Sequence, residues 1–216
     1  MTGYPLKLAI FFILAMSVSV QAQDQYLEAR VKLATPKKPG KRSEEGGLEH
    51  APFRLWLPGG VKTIRGLVVN PFYTKAVEQK HWQAACRQWG FGIMAANFFG
   101  AKAPEFPAMV DTALTDFANQ ANRPELAQAK LCPVGMSSGA GMSTRLAELM
   151  PGRVIAAGPV CLEVGPRNAA SMEIPMLTVF GERDGKQYEK LIIKLAETRD
   201  QQARFGIAVQ WRRRHE

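Results

Sequence analysis

Ser137 stands in the run Gly135-Met136-Ser137-Ser138-Gly139, with an apolar stretch (Ala129 to Val134) before it and an amphipathic one (Ala140 to Leu149) after it. A serine on a sharp strand-to-helix turn has its hydroxyl raised at the carboxyl end of a sheet, and flanking glycines remove the Cβ atoms that so tight a turn would push into its neighbours. The helix N-terminus behind it also favours developing negative charge. This is a setting for nucleophilic chemistry. A serine hydroxyl is a weak nucleophile at neutral pH, so it needs a base and a group that orients the base. Asp184, 47 residues on, lies in Gly181-Glu182-Arg183-Asp184-Gly185 after the apolar run Met176 to Phe180, with Glu182 as a nearby substitute. His215, 31 residues further, follows the run Gly206 to Trp211. The order serine, acid, histidine is thereby met. His50 and His81 precede the serine, one in a polar lead-in and one at a helix start, which leaves His215 as the base. A dinucleotide fingerprint starting at Gly139-Ala140-Gly141 fails, because Thr144 stands where the third glycine belongs and the run lies late in the chain.

The elements that must position these residues alternate. Tyr26 to Leu33 reads as a first strand, Phe53 to Leu57 as a half-buried strand, and Gly66 to Asn70 as a largely apolar one. A helix over His81 to Trp89 leads to a buried strand over Phe91 to Ala96, and Phe106, Met109, Val110, Ala113, Leu114 and Phe117 recur at helical spacing. Strands are expected at Ala129 to Val134, Val154 to Ala157, Met176 to Phe180 and Gly206 to Trp211, with helices over Ala140 to Leu149 and around Tyr188, Leu191, Ile192 and Leu195. Such alternation predicts an α/β domain with a mostly parallel central sheet and helices on both faces.

With 46% hydrophobic and 22% charged residues in 216, the chain is too apolar for a disordered one. The uncharged run Leu8 to Val20 follows Lys7 and leads to Val20-Gln21-Ala22, the pattern of a cleavable secretory signal peptide. Its thirteen residues fall short of the roughly 20 that span a bilayer as a helix. The expected organisation is a signal peptide over 1–22, a polar lead-in over 23–50 and one domain over 51–216, with a secreted or periplasmic location and no membrane association after cleavage. The net charge of +9 sits largely in Lys37 to Arg42 and Arg212 to Arg214 without interleaved aromatics, which argues against nucleic-acid binding. Cys86, Cys132 and Cys161 allow at most one disulfide, form no C-x-x-C pair, and have no metal-ligand spacing with a histidine.

On the elbow Cys132 to Leu149, together with Leu67 to Pro71, Val154 to Val160 and Pro175 to Gly185, the chain from Phe53 to His215 resembles the α/β-hydrolase superfamily, particularly its small secreted esterases of the dienelactone-hydrolase-like and polyhydroxybutyrate-depolymerase-like kind. The resemblance implies hydrolysis through an acyl-enzyme: Ser137 attacks the ester carbonyl, His215 takes and returns the proton, and Asp184 holds the imidazole tautomer. No metal or organic cofactor is then required. The oxyanion hole would use the Ser138 N–H and one from the loop after Val69. Many relatives carry His-Gly or His-Gly-Gly there, whereas this chain reads Asn70-Pro71-Phe72-Tyr73; Pro71 has no N–H, so the second donor is Phe72 or Tyr73, or is missing. Relatives usually continue past this histidine into a covering C-terminal helix, whereas only Glu216 follows His215; either the chain is a shortened product or the helix is dispensable here, and a terminal base prone to fraying makes a poor esterase the expectation. Acylated sugars, feruloyl-type esters and small aryl esters all fit as substrates. A catalytically impaired or non-catalytic hydrolase-fold protein, and an acyltransferase or serine peptidase using the same triad, are the rival classes.

Overall fold

The computed structural model describes residues 22–34, 49–98, 101–162, 164–183 and 186–214. The apolar run Leu8 to Val20, the basic cluster Lys37 to Arg42, Asp184 and His215 lie outside them. Eight strands form one sheet in the order β1-β2-β4-β3-β5-β6-β7-β8. They are β1 (Gln25–Lys32), β2 (His50–Leu57), β3 (Gly66–Asn70), β4 (Phe91–Ala96), β5 (Leu131–Met136), β6 (Gly158–Val160), β7 (Met176–Gly181) and β8 (Phe205–Gln210). The β1–β2 and β2–β4 pairs are antiparallel, and every pair from β4 to β8 is parallel. The helices are α1 (Lys80–Trp89), α2 (Phe106–Ala121), α3 (Ser138–Leu149), the short α4 (Ala169–Met172) and α5 (Lys186–Asp200).

Parallel strands feeding crossover helices put apolar side chains on both faces of the sheet. On one face Leu67, Val69, Leu131 and Phe180 pack with Val110 and Leu114 of α2, Leu146 of α3 and Leu191 of α5. On the other, Trp56, Ile93 and Ala95 pack with Cys86 of α1 and with Ala76 and Val77. Alternation along β4 sends Ile93 and Ala95 one way and Met94 and Ala96 the other, and all four are fully buried. Each large apolar side chain so buried contributes roughly 1.5 to 3 kcal/mol. The chain entry is pinned electrostatically. Burial alone would raise the Asp24 carboxyl, but Arg87, the Gly59 N–H and the Trp56 indole N–H hold it below the usual carboxylate value. Arg87 meets both carboxylate oxygens, at 2.8 and 2.7 Å.

Most elements fall within two residues of the expected ones, β5 for instance at Leu131–Met136 where Ala129 to Val134 was expected, and two differences change the sheet. β2 begins at His50, inside the anticipated lead-in, because the antiparallel ladder with β1 runs on to the Lys32–His50 pair. The strand expected over Val154 to Ala157 is replaced by two single bridges, Leu131–Val154 and Ala157–Met176. Those four residues cross from β5 towards β7 and follow neither ladder, so the continuous pairing with β5 falls on Gly158–Val160.

Cys86 and Cys132 are free thiols. Burial first, and the neighbouring Cys132 second, push the Cys86 thiol up from 9.0 to about 11, and burial raises Cys132 as well. Because the thiolate is the reactive form, Cys86 in the folded chain is expected to alkylate about a hundredfold more slowly at pH 8 than in the unfolded chain. A raised thiol value stabilises the fold below pH 9 and ceases to do so as pH climbs through about 11. Iodoacetamide labelling across that range, read by mass, tests this; rapid labelling at pH 8 in the native state would contradict it.

Candidate active site

Ser137 joins β5 to α3 at φ 52°, ψ −119°, a region that residues bearing a Cβ rarely occupy. The surrounding glycines explain how the chain gets there. A Cβ on Gly135 would lie 2.5 Å from the Gly139 carbonyl oxygen and 2.6 Å from its carbon, so the last turn of β5 and the first turn of α3 touch backbone to backbone. The Ser137 N–H donates to the Val160 carbonyl at 2.9 Å, which ties the turn to β6, and the Ser137 carbonyl accepts from the Ala140 N–H at 2.9 Å. Behind the turn, the buried hydroxyls of Ser143 and Thr144 donate to the carbonyls of Gly139 and Ala140. Ser137 itself is half-buried. Ser138 opens α3 and is exposed, and an N–H in a helix's first turn has no carbonyl partner within the helix. It can therefore receive an anionic oxygen.

The loop after β3 lies against this turn. A Cβ on Gly139 would come 3.2 Å from the Cβ of Phe72. The N–H groups of Phe72 and Tyr73 both donate to Asn70 Oδ1, at 3.1 and 2.8 Å. On the other side of the loop the Phe98 N–H donates to the Pro71 carbonyl at 3.1 Å. Phe72 and Tyr73 are exposed side chains at the mouth of the site, and so is Met136.

The loop after β7 and the tail after β8 are joined residue by residue. The Glu182 N–H donates to the Gln210 carbonyl at 3.0 Å and the Arg183 N–H to the Arg213 carbonyl at 2.9 Å. The Arg212 N–H, with Arg212 at φ 58°, donates to Glu182 Oε2 at 2.8 Å. Asp184 directly follows Arg183, and His215 lies two residues beyond Arg213. Both lie outside the described residues, so Ser137, Ser138, Phe72 and Tyr73 are the expected site residues whose positions can be stated. No group of three or more metal-ligating side chains gathers among the described residues.

No protein-family model matches the chain, and no curated protein does. Solved structures are similar in shape. One is the feruloyl esterase module from Clostridium thermocellum complexed with sinapinate, at TM-score 0.61 and 9% identity over 91% of this chain and 83% of that one. A dienelactone hydrolase-like promiscuous phosphotriesterase from metagenomic libraries gives 0.54 and 16% over 88% and 84%. A thermostable esterase gives 0.52 and 14% over 87% of this chain and 55% of that one, so the chain spans about half the esterase's length. The chain has the α/β-hydrolase fold.

In an α/β-hydrolase fold with this strand order, the turns after β3, β5, β7 and β8 all open at the carboxyl edge of the parallel strands. Two polar residues at that edge carry structure that the sequence reading did not assign. Asn70 caps the two N–H groups nearest the elbow on the β3 side, and Glu182 ties the tail instead of standing free as a spare acid. The Asn70 cap had a local signal: an asparagine side chain commonly accepts from backbone N–H groups two residues on, and Pro71 offers none nearer. The Glu182 contact had none, since it joins residues 30 apart in sequence.

Proposed function

We propose that this chain is a serine carboxylic-ester hydrolase, secreted or periplasmic after loss of residues 1–22, that works through an acyl-enzyme on a small acyl, aryl or sugar ester. The observation that carries the reading is the backbone of Ser137: a serine held at φ 52°, ψ −119° between a central parallel strand and a helix has a conformational cost that an ordinary loop serine would not sustain. Ser137 attacks the ester carbonyl, and its proton passes to His215, whose imidazole Asp184 orients. The N–H of Ser138 receives the negative charge of the tetrahedral intermediate. His215 then protonates the departing alkoxide, and a water deprotonated by His215 cleaves the acyl-enzyme. Support for the two partners comes from the ladder of Glu182, Arg183, Gln210, Arg212 and Arg213, which holds the acid loop and the tail side by side. Esters named for structural neighbours, including the feruloyl class, suit the exposed Phe72, Tyr73 and Met136 at the rim.

Hydrolysis of p-nitrophenyl acetate by the purified chain tests this. His215→Ala is expected to lower kcat by ~10² to 10⁴, the usual cost of losing general-base assistance. Hydrolysis that is indifferent to both Ser137 and His215 would refute the mechanism.

A catalytically impaired hydrolase-fold protein is the second reading, and the specific observation in its favour is that Asn70 already occupies both N–H groups from which the second oxyanion donor would come.

If Glu182 steadies the tail, Glu182→Ala lowers kcat by about tenfold, a fraction of the loss on removing the base, with KM unchanged. Glu182→Gln, whose carboxamide oxygen can accept the same Arg212 N–H, restores most of it. Loss in Glu182→Gln equal to that in Glu182→Ala would rule out the hydrogen bond as the cause.

A further inference from the structure

We propose that Asn70 is a displaceable plug in the second position of the oxyanion hole, an inference that rests on the esterase reading of Ser137. Asn70 ends β3 at the carboxyl edge of the sheet, directly beside β5, which carries the elbow. Its Oδ1 receives the N–H groups of Phe72 and Tyr73 at 3.1 and 2.8 Å. These are the first two backbone donors after the strand, since Pro71 has none, and the Phe72 Cβ lies 3.2 Å from the place a Gly139 Cβ would take in the first turn of α3. The donors thus stand on the correct side of the elbow but are directed at the carboxamide oxygen of their own chain.

The loop keeps its shape without Asn70. The Phe98 N–H holds the Pro71 carbonyl at 3.1 Å, and the Tyr73 carbonyl accepts from Ala76 at 3.1 Å as a 3-10 turn begins. Both Asn70 hydrogen bonds are open to solvent, so the carboxamide can rotate away and be hydrated.

What displaces the plug follows from acceptor strength. The carbonyl oxygen of a neutral ester is no better an acceptor than a carboxamide already in place, so substrate binding leaves Asn70 where it is. The oxygen of the tetrahedral intermediate is an anion, and hydrogen bonds to an ionised acceptor are roughly twice as strong as neutral ones. It therefore competes for the same N–H only as the transition state forms. Part of the stabilisation that a free donor would supply is spent on the exchange, and this cost falls on kcat and leaves KM alone.

The test compares Asn70→Ala and Asn70→Asp with the unaltered chain, using p-nitrophenyl acetate kinetics and the rate of labelling by a fluorophosphonate, whose phosphoryl oxygen becomes anionic on attack. Removing the plug in Asn70→Ala is expected to raise kcat and the labelling rate about tenfold with KM unchanged, a part of the 10² to 10³ that one oxyanion donor is typically worth. Asn70→Asp keeps the cap, makes it charge-assisted and sets a negative charge beside the developing oxyanion, so it is expected to lower both rates about tenfold or more. This second variant preserves the loop should the alanine disturb it. Labelling of the unaltered chain that is no faster in Asn70→Ala, or slower, overturns the plug and leaves the esterase reading intact. Failure of the unaltered chain and of both variants to label overturns the esterase reading, and the plug with it. Labelling that appears only in Asn70→Ala supports both.

Discussion

Ser137→Gly is expected to abolish ester hydrolysis and at the same time make the fold more stable. At φ 52°, ψ −119° a side chain with a Cβ is crowded against its own backbone, at a cost of roughly 1 to 3 kcal/mol. Glycine enters this region freely but loses about 0.5 to 1 kcal/mol to its greater freedom when unfolded, which leaves a net gain of about 1 kcal/mol. In a chain of this size that raises the thermal midpoint by about 3 °C. Ser137→Ala keeps the Cβ and with it the strain, so it should match the glycine variant in inactivity without sharing its gain. Removal of the nucleophile of a serine triad costs on the order of 10⁶ in kcat. Thermal unfolding of the three chains in parallel reads the effect; equal midpoints for Ser137→Gly and Ser137→Ala would mean that the turn carries no such strain.

Gly135→Ala should act in the opposite direction and more strongly. Its added Cβ meets the Gly139 oxygen at 2.5 Å, the Gly139 carbon at 2.6 Å and the Gly139 Cα at 3.0 Å. All three are backbone atoms, so no flexible side chain can swing aside, and either β5 or the first turn of α3 must shift. Overpacking of this kind costs about 3 kcal/mol, which corresponds to a midpoint lower by about 10 °C. Activity should fall with it, because the shift is at the residues on either side of Ser137. The same change at Gly139 meets only the Phe72 side chain, its Cβ at 3.2 Å and its Cγ at 4.0 Å, and no backbone atom stands as close as at Gly135; about 1 kcal/mol is expected there. A Gly135→Ala chain as stable as the unaltered one would show that the elbow is looser than its contacts imply.

The parts of this arrangement that were legible in sequence are those fixed by local patterning. Gly66 to Asn70, Phe91 to Ala96 and Met176 to Phe180 announce themselves as largely apolar strands because both faces of a parallel sheet are covered, and Gly135 and Gly139 mark the elbow, where a Cβ on Gly135 would run into the Gly139 backbone. Periodicity does not report pairing. Nothing in Val154 to Ala157 distinguishes a strand along β5 from a crossing segment, and the choice was made by where Leu131 and Met176 stand in three dimensions. The same holds at the site. The strand-to-helix turn at Ser137 was legible from five residues, whereas the engagement of the Phe72 and Tyr73 N–H groups depends on the direction of the Asn70 side chain, and the seam between Glu182 and Arg212 depends on β7 and β8 lying in register.

The most direct test of the central claim, that Ser137 is an activated nucleophile, is covalent labelling of the purified chain with a fluorophosphonate followed by peptide mass mapping, because it needs no choice of ester. A single adduct on Ser137, absent from Ser137→Ala and strongly slowed in His215→Ala, is the predicted result. No adduct on a folded chain, or an adduct elsewhere that persists in Ser137→Ala, would contradict it.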